Sequence, residues 1–438
     1  MVIELSANAN EFCRRKAEVA HEDVIFDILE VGSSLKPMAI GHVELAAANH
    51  PTRTGADLSA RKAASERLTV CLVADDEVIN RFPESVRYLQ VGLIDEPIDF
   101  VLVCPEHPRA AKLLSGPTKL LQHRRYHRLI ERFALRGIVK EVCAFLSKPK
   151  YDGPLIVHSL SVTAAPLAAQ VARNMEADLL VNVTARRALE DATLFHALES
   201  ATEIVTPVKA FAEAFQHTPG LSDKTIEVLP FAAGAEDEPT AFSKTGGVAT
   251  IMAAGPLEPE FGYDTLLHAI KRVQGQYKNL AAFIVGKGSA ENDLRHLTNA
   301  LELSDKITFT GRLDNIRAAI KATDMFCVPR APVSFREEPV LALAAGVLLM
   351  ADEMILCDGL QHRHNARLFP GGDDAALAEQ LRWALGNREE SRRVASAGLA
   401  LAKARHTITE MVDHYLRIYG QITATRKTLK LDAKSQGS

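Results

Sequence analysis

Short runs of aliphatic and β-branched residues alternate with amphipathic helical stretches along most of this chain, and that alternation is what most limits its fold. In the first half, strands are expected at 24–31 (VIFDILEV), 68–74 (LTVCLVA), 99–105 (DFVLVCP), 154–160 (PLIVHSL), 178–184 (DLLVNVT) and 203–208 (EIVTPV). Helices fall between them. The long one, at 117–147, carries a basic face of Lys119, His123, Arg124, Arg125, His127, Arg128, Arg132 and Arg136. Strand–helix alternation of this kind implies βαβ units and a mostly parallel sheet.

The pattern breaks after IEVLPFAAG (226–234). AEDEPTAFSKTGG, polar and without apolar periodicity, is expected to be a linker over 235–247. Alternation then restarts, with strands expected at 249–255, 280–286, 306–311, 324–329, 347–352 and 366–371. Helices are expected at 262–276, 290–302, 314–322, 338–346 and 374–386. The architecture implied is α/β, with two doubly wound Rossmann-like domains at 1–234 and 248–407 facing a cleft. A last helix at 408–424 bears Met411, Tyr415, Ile418 and Tyr419 on one stripe, and a frayed tail is expected at 425–438.

Composition excludes several classes. A formal net charge of -4 gives no basic excess for nucleic acid. Six scattered cysteines form no CxxC pair, and Cys71, Cys104 and Cys327 sit inside apolar runs, so reduced buried thiols are expected. The N-terminal residues lack the apolar core of a secretory signal. No apolar run approaches the ~18 residues of a spanning helix. These features point to a cytoplasmic protein with at most peripheral membrane contact. No metal is expected: QHRHN (361–365) has two histidines but no third ligand nearby.

In doubly wound sheets, ligands sit where the strands end and helices begin, because backbone N–H groups converge there. A phosphate-bearing ligand is the natural expectation. Candidate contacts at strand ends are Gly286, Lys287 and Gly288 in VGKG, and Arg330 just after CVP. Glu337 and Glu338 open a helix, either as capping residues or as contacts to a ribose. Gly286 and Gly288 serve a tight turn with or without ligand. His158, at another strand end, is read as a core histidine or a cleft residue. The basic face at 117–147 is a solvated helix surface or a contact for anionic lipid.

From 154 to 425 the chain resembles the GT-B glycosyltransferases of the family 4 (group 1) type. AAGPLEPEFGYDTLLHAIKRV is similar to the family's first strand, loop and helix in the nucleotide-sugar domain. VGKG stands where the family has a Gly-x-Gly turn, and FTG, ATDMFCVP, LALAAGVLLMAD and ARLFPGGDDAALAEQL follow in order. The resemblance implies a nucleoside-diphosphate sugar as co-substrate, no cofactor, a glycan or lipid-linked acceptor, and a C-terminal helix that returns to the first domain. It also implies an Arg and a Lys after the first strand, a Glu pair separated by seven residues, and an acceptor-side His. In this sequence those positions hold Pro256, Phe261, Val333, Leu341 and Thr184. None can supply the expected charge, and only Thr184 can hydrogen-bond through its side chain. AIGHVEL (39–45) is similar to the family's Gly-Gly-x-Glu segment, with Gly41, His42 and Glu44 as acceptor-side candidates; His42 replaces a glycine.

Two functions are therefore expected. One is a divergent, metal-independent, retaining glycosyltransferase of polysaccharide or glycolipid synthesis, using Arg330, Lys287 and Glu338 for its donor. The other is a catalytically inactive relative that serves a protein partner as scaffold or regulatory subunit. A nucleotide or sugar-phosphate sensor is a third reading.

Overall fold

A computed structural model describes residues 67–124, 131–151, 153–243 and 247–436. The expected strand at 24–31 and the AIGHVEL segment with Gly41, His42 and Glu44 lie outside them. Two units result. Among the described residues the first takes 67–233, Val333–Glu337 and 405–436, and the second takes Gly234–Pro332 and Glu338–Ala404.

The first unit runs β1 (Leu68–Val73), α1 (Asp76–Arg81), α2 (Pro83–Gly92), β2 (Ile98–Pro105), β3 (Lys119–His123), α3 (Glu131–Leu146), β4 (Leu155–Ser159), α4 (Ala165–Asn174), β5 (Asp178–Asn182), α5 (Ala192–Glu199), β6 (Glu203–Thr206), α6 (Lys209–Gln216) and β7 (Thr225–Val228). All seven strands are parallel, in the order β3-β2-β1-β4-β5-β6-β7. In β1 and β2, Val70–Val73 and Val101–Cys104 are fully buried, which is why these strands read as unbroken apolar runs.

One expected element is corrected. Residues 119–123 are not the start of a long helix; they pair with β2 from Val101↔Lys119 to Pro105↔His123. The pairing satisfies backbone groups that β2 would otherwise leave open, and this outweighs a local helical pattern. The expected basic face is therefore divided. Lys119 and His123 lie on an edge strand, Arg132 and Arg136 fall on α3, and Arg125, His127 and Arg128 lie outside the described residues. His123 is buried, and burial holds it toward its neutral form.

The second unit runs β8 (Ala249–Ala254), α7 (Tyr263–Val273), β9 (Leu280–Val285), α8 (Glu291–Ala300), β10 (Ile307–Gly311), α9 (Ile316–Lys321), β11 (Met325–Val328), α10 (Glu338–Ala344), β12 (Leu348–Asp352), β13 (Arg367–Phe369), α11 (Asp374–Gly386) and α12 (Arg388–Arg405). Its parallel sheet has the order β10-β9-β8-β11-β12-β13. Leu266, Ile270 and Val273 on α7 and Leu377, Leu381 and Leu385 on α11 recur at helical spacing and face one core with Ile251 and Phe369.

The segment expected as a linker is fastened to this unit. Glu236 N–H donates to Ala344 O at 2.8 Å and Ala241 N–H to Gly346 O at 3.0 Å. The Asp324 carboxylate accepts from Phe242 N at 2.8 Å, Thr250 N at 2.8 Å and the Thr250 hydroxyl at 3.0 Å. It so joins the entering chain to β8 and to the start of β11. Removing it strands two backbone donors. Asp324→Ala should lower stability by on the order of 3 kcal/mol, and Asp324→Asn by less, as measured by denaturant unfolding.

The last helix, α13 (Ile408–Gln436), belongs to the first unit. It continues through residues expected to fray. Met411, Tyr415, Ile418, Tyr419 and Ile422 are buried in the core with Leu72, Leu102 and Ile156. Each such aliphatic side chain contributes about 1.5–3 kcal/mol. On the same surface, Glu203 of β6 is 5 % exposed and its Oε1 has no partner. Glu227 of β7 accepts from His414 Nε2 at 3.0 Å. Burial, then the charge of Glu227, raises the Glu203 carboxyl to about 7. A carboxyl whose folded pKa is raised favours the folded state while protonated, and that contribution is lost as pH climbs through 7. Glu203→Gln should therefore raise stability at pH 8 by on the order of 1 kcal/mol and change it little at pH 5, read as melting temperature across pH.

Candidate functional site

In the second unit, loops leaving adjacent strands meet backbone to backbone. Gly255 N–H donates to Val285 O at 2.9 Å, Gly286 N–H to Gly311 O at 2.9 Å, and Leu257 N–H to Lys287 O at 3.1 Å. Gly286 has φ +143°, and a Cβ there would sit 1.8 Å from the Gly255 carbonyl oxygen. A Cβ on Gly288 would sit 2.3 Å from Leu257 O. Only glycine permits such an approach, so the VGKG turn is set by packing in its own right. Glu258 reinforces it: its carboxylate accepts from Ser289 N at 3.1 Å and from the Ser289 hydroxyl. Those bonds hold the Glu258 carboxyl below its ordinary range. Lys287 extends from this junction and is exposed.

Arg330 follows β11, next to β8 on its other side. Strand order reverses between β8 and β11, so this is the sheet's switch point. A Cβ on Gly262, the N-cap of α7, would lie 3.0 Å from Arg330 Cβ, and one on Gly372 would lie 2.7 Å from Arg330 Nη2. The guanidinium therefore lies along Gly372 with its stem beside the start of α7. Arg330 is exposed, and neither it nor Lys287 forms an ion pair among the described residues. The loop after Arg330 is set by Asp352, which is 5 % exposed. Its Oδ2 accepts from Ala331 N at 2.7 Å and its Oδ1 from Met354 N at 3.0 Å. A Cβ on Gly371 would lie 2.0 Å from Oδ2. Sequence reasoning missed Asp352; an acid closing the apolar strand VLLMAD was the available signal.

The other positions separate. Pro256 is exposed in the loop after β8. Phe261 is half-buried against the second core, with its ring 6.4 Å from that of Tyr263. Leu341 is 8 % exposed on α10. Glu338 is the first residue of α10. Val333 and Glu337 belong to the first unit's segment Val333–Glu337, where Val333 is 84 % exposed.

That segment crosses the carboxyl ends of the first sheet. Phe335 N–H donates to Thr184 O at 2.8 Å, Ser334 bridges Ala185, and Arg81 donates to Phe335 O. Phe335 is 2 % exposed and stacks at a tilt on Phe231, 5.9 Å away; Phe231 meets Phe82 at 6.1 Å. These rings line an apolar pocket of about 640 Å³, including its open mouth, with Val78, Leu160 and Met411. Asn182, Thr184 and Tyr415 supply its polar wall.

His158 is a core residue. Tyr419 Oη donates to its Nδ1 at 2.8 Å, its Nε2–H donates to Asn182 Oδ1 at 3.0 Å, and Asn182 Nδ2 donates to Tyr415 Oη at 2.9 Å. The ring is fully buried, and burial lowers its pKa to about 4. Both nitrogens are used within the fold, which leaves no ring nitrogen for a ligand. At the first sheet's own switch point, between β1 and β4, stands a carboxylate: Asp75 accepts from Val78 N at 3.0 Å, from Ser161 Oγ at 2.9 Å and from Thr163 Oγ1. The two units thus differ in sign where a ligand would enter, acidic in the first and cationic in the second. No group of metal ligands occurs among the described residues, and no helix among them is long and apolar enough to cross a membrane.

Comparison with known proteins sets the second unit apart. Residues 236–400 match the family described as Glycosyl transferases group 1. A phosphatidyl-myo-inositol mannosyltransferase of Mycobacterium leprae (strain TN) is 31% identical over 176 residues, 38% of this chain and 45% of its own. The lipopolysaccharide core biosynthesis glycosyltransferase LpsD of Rhizobium meliloti (strain 1021) is 24% identical over 180 residues, 40% of this chain and 50% of its own. The chain spans about half the length of these curated relatives. Among solved structures, Anabaena Alr3699/HepE in complex with UDP and glucose superposes with a TM-score of 0.66 at 15% identity, covering 81% of this chain and 99% of that one. Sucrose-phosphate synthase from Thermosynechococcus elongatus gives a TM-score of 0.68 at 17% identity, covering 82% and 100%. This chain therefore carries a glycosyl transferases group 1 domain at residues 236–400, within the two-domain α/β fold of the GT-B glycosyltransferases.

Proposed function

We propose that the protein binds a nucleoside-diphosphate sugar at the carboxyl edge of the second sheet and transfers the sugar, with retention and without a metal ion, to a lipid-linked or glycan acceptor. The observation that carries this reading is the pair of cations, Lys287 and Arg330, without ion-pair partners among the described residues. They leave strands two positions apart, a backbone separation of about 10 Å at ordinary strand spacing. A diphosphate fits between such charges, with the eleven-residue helix α7 starting beside Arg330. In the reaction, the bond from the anomeric carbon to the β-phosphate oxygen breaks, the acceptor hydroxyl oxygen forms the new one, and the hydroxyl proton passes to the departing diphosphate. Charge builds on the departing diphosphate, where Arg330 and Lys287 neutralise it.

The acceptor half of the reading rests on the first unit. Its apolar pocket with one polar wall suits the hydrocarbon part of a lipid-linked acceptor. One relative is a phosphatidyl-myo-inositol mannosyltransferase, which agrees with such a class. The buried free thiols Cys71, Cys104 and Cys327 suit a reducing, cytoplasmic setting.

A specific observation favours the second reading, a catalytically inactive relative that serves a protein partner. Pro256, Phe261 and Leu341 stand at positions where the family has charge or hydrogen-bonding groups, and the Leu341 side chain is spent on the core. Thermal shift with UDP, GDP and ADP, followed by hydrolysis of the matching sugar nucleotide, tests both. A rise in melting temperature with one nucleotide is expected. Arg330→Ala should weaken that nucleotide about 10- to 100-fold, the effect of one lost charged hydrogen bond. No response to any nucleotide would defeat the transferase and the sensor and leave the inactive, partner-binding relative. Binding without sugar release would leave the nucleotide sensor. In that case Pro256→Arg should strengthen nucleotide binding by restoring a cation after β8, and an unchanged affinity would separate Pro256 from the site.

A further inference from the structure

Arg367 opens β13, the edge strand of the second sheet, and is 4 % exposed. A buried guanidinium ordinarily meets a carboxylate, because an uncompensated charge away from water is unfavourable. Here none does. Its Nε donates to Gln380 Oε1 at 2.8 Å, and its plane lies over the Trp383 ring, 3.8 Å from the centroid. Both partners are on α11 and neither carries charge. The terminal N–H groups of the fork have no partner among the described residues and keep some contact with solvent, since neither is among the buried atoms left without one.

The preceding loop adds positive charge. Arg363 has φ +65°, a conformation that non-glycine residues rarely adopt, and is held there by its N–H to Ala366 O at 2.9 Å. His362 Nδ1 accepts from Leu368 N at 3.0 Å, so Nε2 carries the ring proton and is a donor. Both residues are exposed. Burial, then the charges of Arg367 and Arg363, holds His362 toward its neutral form, and burial with Arg363 lowers Arg367 as well. The one carboxylate acting on His362 is that of Glu353, which is exposed and forms no ion pair among the described residues.

We propose that Arg367, Arg363 and His362 form a binding site for a phosphate-class oxyanion, inorganic phosphate or a phosphate monoester. A planar fork seated on an aromatic ring presents parallel N–H donors to two oxygens of a tetrahedral anion. Arg363 and the His362 Nε2–H supply charge and a third donor. The anion provides the counter-charge that the fold leaves out. This site is distinct from the pair Lys287 and Arg330, since Arg367 opens β13 while the Gly372 against which Arg330 packs lies beyond that strand's carboxyl end.

The test is a titration of the full chain with inorganic phosphate against chloride at matched ionic strength, followed by melting temperature and by the His362 imidazole proton resonance. A saturable rise in melting temperature is expected, with the His362 titration midpoint moving upward as the anion binds. Arg363→Ala, an exposed change that the fold tolerates, should weaken phosphate about tenfold. Arg367→Gln should abolish the His362 shift, and Arg330→Ala should leave that shift intact. A His362 shift equal in wild type and Arg363→Ala, or one lost with Arg330→Ala instead, would overturn the site. So would a response that never saturates. Because Arg330→Ala separates the two sites, failure here leaves the nucleotide-sugar reading to its own test.

Discussion

The parallel pairing of β8 with β9 on one side and β11 on the other is the constraint from which the second unit's chemistry follows. A central first strand forces successive crossovers to opposite sides of the sheet, so the loops after β8 and β11 part and leave a crevice. What occupies it depends on the residues at those two ends alone. In the second unit they are Gly262, at the start of α7, and Arg330. In the first unit, built with the same order of strands, they are Asp75 and the hydroxyls of Ser161 and Thr163, already bonded to one another. Identical topology thus yields one crevice suited to an anion and one closed by its own hydrogen bonds. The division of labour that we propose rests on this difference in charge.

Precision at the strand ends comes from the backbone more than from side chains. Gly286 against Gly255, and Gly288 against Leu257, leave no room for a methyl group. Asp352 then fixes the loop beyond Arg330 through two backbone N–H groups. A buried carboxylate accepting from such donors costs little once it is satisfied and a great deal if it is removed. Asp324 plays the same part where the chain enters β8. Rigid loops of this kind can present an exposed arginine in one place, which the long, flexible side chain would not guarantee by itself.

Much of the fold was legible because parallel strands announce themselves. Buried on both faces, β1, β2, β8 and β12 read as unbroken apolar runs, and their boundaries differ from expectation by one or two residues. Edge strand β3 was not legible. Lys119–His123 is exposed or half-buried except at His123 and has a charged end, and it precedes a helical pattern that local propensity extends backwards over it. Its strand state is set by β2, a partner distant in sequence. The segment Val333–Glu337 was hidden for a related reason: nothing in VSFRE says that Phe335 is held by Thr184 and Phe231. The candidate site was partly legible. Arg330 and Lys287 were visible as cations at strand ends. His158 looked the same from the sequence, and only Tyr419, reached 261 positions later, makes it a core residue. Asp352 and Arg367 stayed hidden because an ionisable residue inside an apolar strand signals a partner without naming it.

The family positions that lack their usual groups carry a physical consequence beyond lost contacts. A glutamate at position 341 would place a carboxylate where the side chain is 8 % exposed, and a lysine at 261 would replace a ring packed against the second core. Charges so placed are costly unless a ligand compensates them, and Leu and Phe remove that cost. The exchange favours the unliganded unit and, in the function that we propose, leaves nucleotide binding to exposed cations, whose desolvation is cheap and whose attraction is weaker. On this reading, the protein holds a donor through Lys287 and Arg330 with less affinity than a fully furnished site would, and its specificity falls to the backbone-defined loops around Gly286 and Asp352.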